Sequence, residues 1–143
     1  MKIIKTLCLL SFFWVNHALA EVKISEAWVR ATAPGQSVGA AYMTLTSPQN
    51  STLVFIQSPA AKDVQIHSMS MTNGVMKMRK LDTLPLKAGQ AEKLAPGGFH
   101  LMLFDLKQAL KLGENVKFTL CFKDKANKIT HQDVTLPIKG SAD

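Results

Sequence analysis

The chain has little with which to cross-link itself. Of its two cysteines, Cys8 lies in an N-terminal apolar stretch that reads as a leader, so Cys121 stands alone and an intramolecular disulfide is impossible. Stability must then come from an apolar core. Long apolar runs are missing after residue 20, which argues against an integral membrane helix in the mature chain, since crossing the hydrocarbon takes roughly 20 apolar residues. No Ser-His-Asp pattern, Gly-rich phosphate loop or HExxH stretch is present, and the acidic residues do not gather around histidine. These absences argue against an enzyme. Sustained helical periodicity is scarce as well.

What is present begins with the leader, MKIIKTLCLLSFFWVNHALA. Lys2 and Lys5 make a basic front, an apolar stretch runs from Ile3 to Val15, and Ala18-Leu19-Ala20 forms a small-residue cleavage site. This is a secretory signal peptide, expected to be cleaved after about Ala20. Cys8 sits inside the apolar stretch and precedes no mature N-terminus, which argues against lipid attachment. The expected organisation is a leader over 1–20 and one domain over 21–143, exported to the periplasm as a soluble monomer. Without Lys2 and Lys5 the 17 basic residues fall to 15 against 10 acidic ones, a formal charge of +5. The basic residues are scattered and no aromatic-basic motif accompanies them, so nucleic acid is not an expected partner and a solvated surface is.

Short alternating or apolar runs separated by Pro, Gly, Asn and Asp predict an all-β sandwich or barrel. Strands are expected over 22–31, 38–47, 52–57, 63–71, 75–81, 91–94, 99–104, 115–123 and 129–138. Leu106-Lys107-Gln108-Ala109-Leu110-Lys111 is the one expected helical turn, stopped by Gly113. Trp28, Tyr42, Phe55, Phe99, Phe104, Phe118 and Phe122 are expected in the core. In the 115–123 strand, Val116, Phe118, Leu120 and Phe122 share a face, which leaves Cys121 on the other, semi-exposed or locally packed.

Six side chains carry the chemistry: His67, Met69, Met71, Met78, His100 and Met102. Imidazole and thioether together favour a soft monovalent ion, Cu(I) above all. Asn73-Gly74 is a strong hairpin signal, because both residues accept the positive φ values of a type I′ turn. A two-residue loop there pairs Met71 with Met76, Met69 with Met78 and His67 with Lys80. His67, Met69, Met71, Met76 and Met78 then share one face, since side chains alternate with a period of two. In Phe99-His100-Leu101-Met102-Leu103, His100 and Met102 share a face in the same way. A strand with methionine at alternate positions is ordinarily just apolar on one side; four within ten residues, flanked by His67 and matched by a separate His-x-Met, favour a metal. Met43 and Met76 are expected to pack, and Met69 and Met71 to serve as auxiliary ligands or rim.

Ten residues separate His67 from Met78 and twenty-one separate Met78 from His100, with Met102 following at His-x-Met. This spacing resembles the His-x10-Met-x21-His-x-Met signature of the periplasmic copper chaperone family called PCuAC. The resemblance extends through His67-Ser68-Met69-Ser70-Met71, Asn73-Gly74-Val75-Met76-Lys77-Met78-Arg79, Pro96-Gly97-Gly98-Phe99-His100-Leu101-Met102-Leu103 and Leu106-Lys107, with Ala27-Trp28-Val29-Arg30 near the start. It implies a single-domain, cupredoxin-like Greek-key β-sandwich or barrel that binds Cu(I) near its surface. It also implies copper delivery to the copper-site subunit of cytochrome c oxidase, with a Sco-type thiol protein as collaborator. His67, Met78, His100 and Met102 match the family's ligand positions. Ala109 stands where the family often has Pro, and the His- and Met-rich tail of some members has no counterpart, which weakens the expectation of a second, Cu(II)-type site.

Copper storage or detoxification is the alternative within the same metal chemistry, and a copper-independent exported interaction module is the alternative outside it. A blue-copper electron carrier would need a Cys thiolate beside two His. Cys121 has no His within a short loop, and His131 lies ten residues downstream.

Overall fold

The computed structural model describes residues 21–140, and every regular element among them is a strand. In chain order these are β1 (Lys23–Arg30), β2 (Gly39–Thr46), β3 (Ser51–Gln57), β4 (Ala61–Thr72), β5 (Val75–Leu81), β6 (Leu84–Leu86), β7 (Ala91–Leu94), β8 (His100–Leu106), β9 (Asn115–Asp124) and β10 (Ile129–Lys139). The expected leader and its cleavage site lie outside the described residues.

Hydrogen bonding runs through the strands in the order β5-β4-β8-β2-β1-β10-β9-β3-β6, with β7 beside the second half of β2. The path divides into two layers. β5, β4, β8, β2, β1 and β7 form the first, and β10, β9, β3 and β6 the second. They join where β1 and β10 run parallel, Val29 opposite Ile138. Alternation drives this arrangement: Val29, Met43, Leu45, Leu101 and Leu103 of the first layer and Leu53, Phe118, Leu120 and Leu136 of the second are almost fully enclosed between them. At about 1.5–3 kcal/mol per buried large apolar side chain, this interior replaces the missing disulfide as the source of stability.

Nine of the ten strands fall where the alternation puts them. The tenth, β6, is three residues long with Pro85 at its centre, a residue that reads against a strand. It forms because β6 is the outer edge of the second layer, where Pro85 faces Thr52 and a missing donor costs little.

The helical turn expected at Leu106–Lys111 does not form. Leu106 ends β8, and the segment after it bends at Lys107 and Gln108 and then meets Thr32, whose Oγ1 accepts from Leu110 N at 2.8 Å while its own N–H donates to Leu110 O at 3.0 Å. Leu110 is buried there, so a long-range contact overrides weak local helix propensity. Phe55, expected in the core, is exposed. The register of β3 against β9 shifts between Leu53 and Phe55, which turns the Phe55 ring outward opposite Cys121.

Met43 packs in the core as expected, whereas Met76 does not and is exposed. Cys121 takes the locally packed option, buried on the outer side of β9 with its Sγ 2.9 Å from His131 Nδ1. Ten residues of sequence had separated that pair, yet β9 and β10 set them directly opposite each other. Burial pushes the Cys121 thiol pKa up, away from the thiolate that a blue-copper site requires.

Candidate metal centre

The centre is built from three adjacent strands of the first layer. Asn73 and Gly74 take φ values of +51° and +75°, the left-handed pair that a tight hairpin needs, so β4 and β5 pair with His67 opposite Lys80, Met69 opposite Met78 and Met71 opposite Met76. On the other side of β4, His67 faces His100 and Gln65 faces Met102. Ile66, Leu101 and Leu103 point into the core, so His67, His100 and Met102 point outward.

His67 and His100 are nonetheless 9% and 4% exposed. Their ring centroids lie 5.9 Å apart, and the Phe104 ring lies 5.9 Å from His67. The thioethers of Met69, Met78 and Met102 line, together with His100, Tyr42 and Arg30, one cavity of about 330 Å³. Met78 and Met102 are each diagonal neighbours of His67, at a typical Cβ separation of about 7–8 Å that a long side chain can bridge. His67 does not line the cavity; it sits beside it, reached through His100. Met78 is 47% exposed, which leaves the centre open to solvent on the β5 side.

The protonation of both rings follows from their partners. Gln65 Nε2 donates to Asp63 Oδ2 at 2.6 Å, which turns Gln65 Oε1 toward His67 Nε2 at 2.9 Å. An amide oxygen only accepts, so His67 carries its proton on Nε2. His100 Nδ1 donates to Gly98 O at 3.0 Å, so its proton is on Nδ1. The lone pairs left over are His67 Nδ1 and His100 Nε2, the two buried side-chain nitrogens without a hydrogen-bond partner among the described residues. A buried acceptor left unsatisfied costs about 1–3 kcal/mol, and two on facing rings are a standing cost that an electron-pair acceptor would remove. Burial first, then His100 and Lys80, push the His67 pKa below 6.5 and keep the ring neutral.

Gln65 and Asp63 went unnoticed in the sequence pattern although the signal was there: at i−2 and i−4 from His67 on one strand they share its face. Trp28, by contrast, packs on Tyr42 at 4.6 Å outside the cavity lining, with Arg30 over both rings.

Among the described residues no three His, Cys, Asp or Glu side chains come together. The two imidazoles therefore have no third imidazole, thiol or carboxylate beside them, and the thioethers of Met69, Met78 and Met102 are the soft donors of the adjoining cavity. That donor chemistry suits a soft ion. An all-β, cupredoxin-like domain with a soft-donor cluster on the outer face of one layer defines the class of protein.

The chain belongs to the LpqE-like family, whose profile, described as "Putative lipoprotein LpqE-like", matches residues 22–138. The lipoprotein description marks the family as one of exported proteins. The "Putative lipoprotein Lxx21020" of Leifsonia xyli subsp. xyli is 32% identical over 119 residues, 82% of this chain and 69% of the relative. An uncharacterized protein of Rickettsia prowazekii is 34% identical over 123 residues, 82% of this chain and 68% of its own.

Among solved structures, the solution structure of Cu(I)-loaded DR1885 from Deinococcus radiodurans is 33% identical, with a TM-score of 0.58 over 87% of this chain and 82% of that one. The apo PCuAC domain of PmoF1 shares the fold, with a TM-score of 0.65 at 24% identity over 82% and 92% of the two chains. The expected PCuAC-type, cupredoxin-like fold is thus borne out.

Proposed function

We infer that this chain is a periplasmic metallochaperone that carries one Cu(I) ion on His67 Nδ1, His100 Nε2 and the thioethers of Met78 and Met102. The observation that carries this reading is the pair of buried imidazole nitrogens without partners on two adjacent rings, beside a cavity lined by thioethers. The likeness to Cu(I)-loaded DR1885 supports it.

The donor set explains why such a protein carries copper without converting anything. Two imidazoles and two thioethers are neutral, so they stabilise the cuprous state without the tight, slowly released bond of a thiolate. Gln65 and Gly98 hold the rings in the ligating tautomer before the ion arrives, which lowers the ordering cost of binding. Exposed Met78 gives an incoming acceptor ligand a place to displace a donor, so the ion leaves one bond at a time.

Delivery to the copper-site subunit of cytochrome c oxidase, alongside a Sco-type thiol protein, is the destination that the family resemblance suggests. Replacing Met78 and Met102 together by Ile keeps apolar bulk and removes the sulfur donors. We expect Cu(I) affinity in a chelator competition to fall at least about 100-fold, or roughly 2.7 kcal/mol, with the β-sheet circular dichroism unchanged. Unchanged affinity rejects the ligand assignment. X-ray absorption on the loaded protein should count two sulfur and two nitrogen neighbours. A deletion strain that loses oxidase activity at low copper and regains it with added copper marks delivery; sensitivity to excess copper marks detoxification instead.

A further inference from the structure

The same hairpin carries a second pair of sulfurs that the four-ligand centre does not use. Met71 and Met76 face each other across β4 and β5, one rung further out than Met69 and Met78. They are 68% and 54% exposed, among the most exposed large apolar side chains described. Strand alternation puts all four on the face that also bears His67. β4 pairs with β8 only as far as His67, and beyond it the Met69 N–H donates to Gly98 O at 3.2 Å. Among the described residues no third strand lies beside the outer rung.

Packing does not account for this pair, because neither sulfur belongs to the core. General apolarity does not account for it either. Leu or Val would furnish an apolar strip equally well and with higher β propensity, yet each of the four positions on this face of the hairpin tip is Met. The opposite face, with Ser68, Ser70, Lys77 and Arg79, is mainly polar. What the four positions share is sulfur.

We propose that Met71 and Met76 form a second, weaker Cu(I) site at the hairpin tip, through which the ion enters and leaves the inner centre. This rests on the Cu(I) reading of the inner centre and extends it. Two thioethers can hold a cuprous ion in two-coordinate fashion, without a proton to displace and without a change of oxidation state. Adjacent rungs lie two residues apart, about 7 Å along the strand, a gap that two flexible thioether side chains can close from either end. Transfer then proceeds by forming one Cu–S bond to Met69 or Met78 as one to Met71 or Met76 breaks. The ion keeps a sulfur ligand throughout and never enters bulk water free. The tip, rather than the half-enclosed imidazole pair, is the part of the site a donor or acceptor protein meets first.

The test uses the mature protein labelled with ¹³C at its methionine methyl groups and titrated anaerobically with the acetonitrile complex of Cu(I). The first equivalent should move the Met78 and Met102 signals, and the second should move Met71 and Met76. Replacing Met71 and Met76 together by Ile should abolish the second response. It should also slow Cu(I) transfer to bicinchoninate by about fivefold or more, with the equilibrium affinity of the first equivalent held within about twofold. Met71 and Met76 signals that stay still through two equivalents, or a double variant that transfers at the parent rate, overturn the proposal. So does a more than about tenfold loss of first-equivalent affinity in that variant, which would make the outer pair part of the main centre. Failure of the inner assignment reads separately, as still Met78 and Met102 signals at the first equivalent.

Discussion

Gln65 controls the chemistry of His67 without touching the cavity. Its amide is oriented by Asp63 and in turn dictates which imidazole nitrogen is bare. Removing it leaves an N–H without a partner and lets the ring exchange tautomers, so part of the population presents the wrong nitrogen. Outer-shell partners of this kind are typically worth about 10–100-fold in metal affinity. We therefore expect Gln65→Leu to weaken Cu(I) binding within that range while the fold persists, because position 65 is only half-buried on an outer sheet face. Imidazole nitrogen spectra distinguish positioning from packing: the parent should show His67 as the Nε2–H tautomer and the variant a mixture. A single unchanged tautomer in the variant would refute the role.

At the scale of the element, the β4–β5 hairpin is an edge unit held by one neighbour, and its register sets which side chains meet the imidazoles. Gly74 at φ +75° anchors that register, with open space where a Cβ would stand. Alanine there meets no clash but must occupy a left-handed conformation, at a cost of about 1–2 kcal/mol. We expect Gly74→Ala to speed hydrogen exchange in Val75–Met78, leave the core strands protected, and weaken Cu(I) binding by about fivefold to twentyfold as the hairpin loosens; core amides that lose protection in step would contradict the picture of a locally held edge.

The hairpin was legible in the sequence because its determinants are local: Asn-Gly fixes the turn, and a period of two then assigns every face. So were His100 and Met102 as a pair on one strand. What was not legible depended on distant chain. The irregular run after Leu106 is pinned by Thr32, the outward Phe55 ring follows from a register shift against β9, and Cys121 meets His131 only once β9 and β10 pair. Exposure of Met76 was hidden for the same reason, since only the strand order shows β5 to be the edge strand among the described residues.

For the whole molecule, the proposed site sets proton and copper in competition for buried imidazole lone pairs, and folding stability records the contest. Burial first, then the electrostatic influence of neighbouring His100 and Lys80, lowers the folded pKa of His67 below 6.5. Between the folded value and 6.5 the unfolded chain binds more protons at this residue than the folded one, and stability therefore rises with pH. The contribution is fully present above about 6.5 and is lost as pH falls through the folded value. Chemical denaturation of the apoprotein from pH 7.5 to 5.5 should show that decline, and His67→Asn should make it shallower. Cu(I) bound preferentially to the folded form adds at most about 2.7 kcal/mol at 100 times its dissociation constant. Because the His67 pKa is lowered, that gain should persist below pH 6.5 and shrink where His67 itself protonates. A copper-dependent stabilisation that already disappears at pH 6.5, or an apoprotein whose pH dependence is untouched by His67→Asn, would place the competing proton on another group.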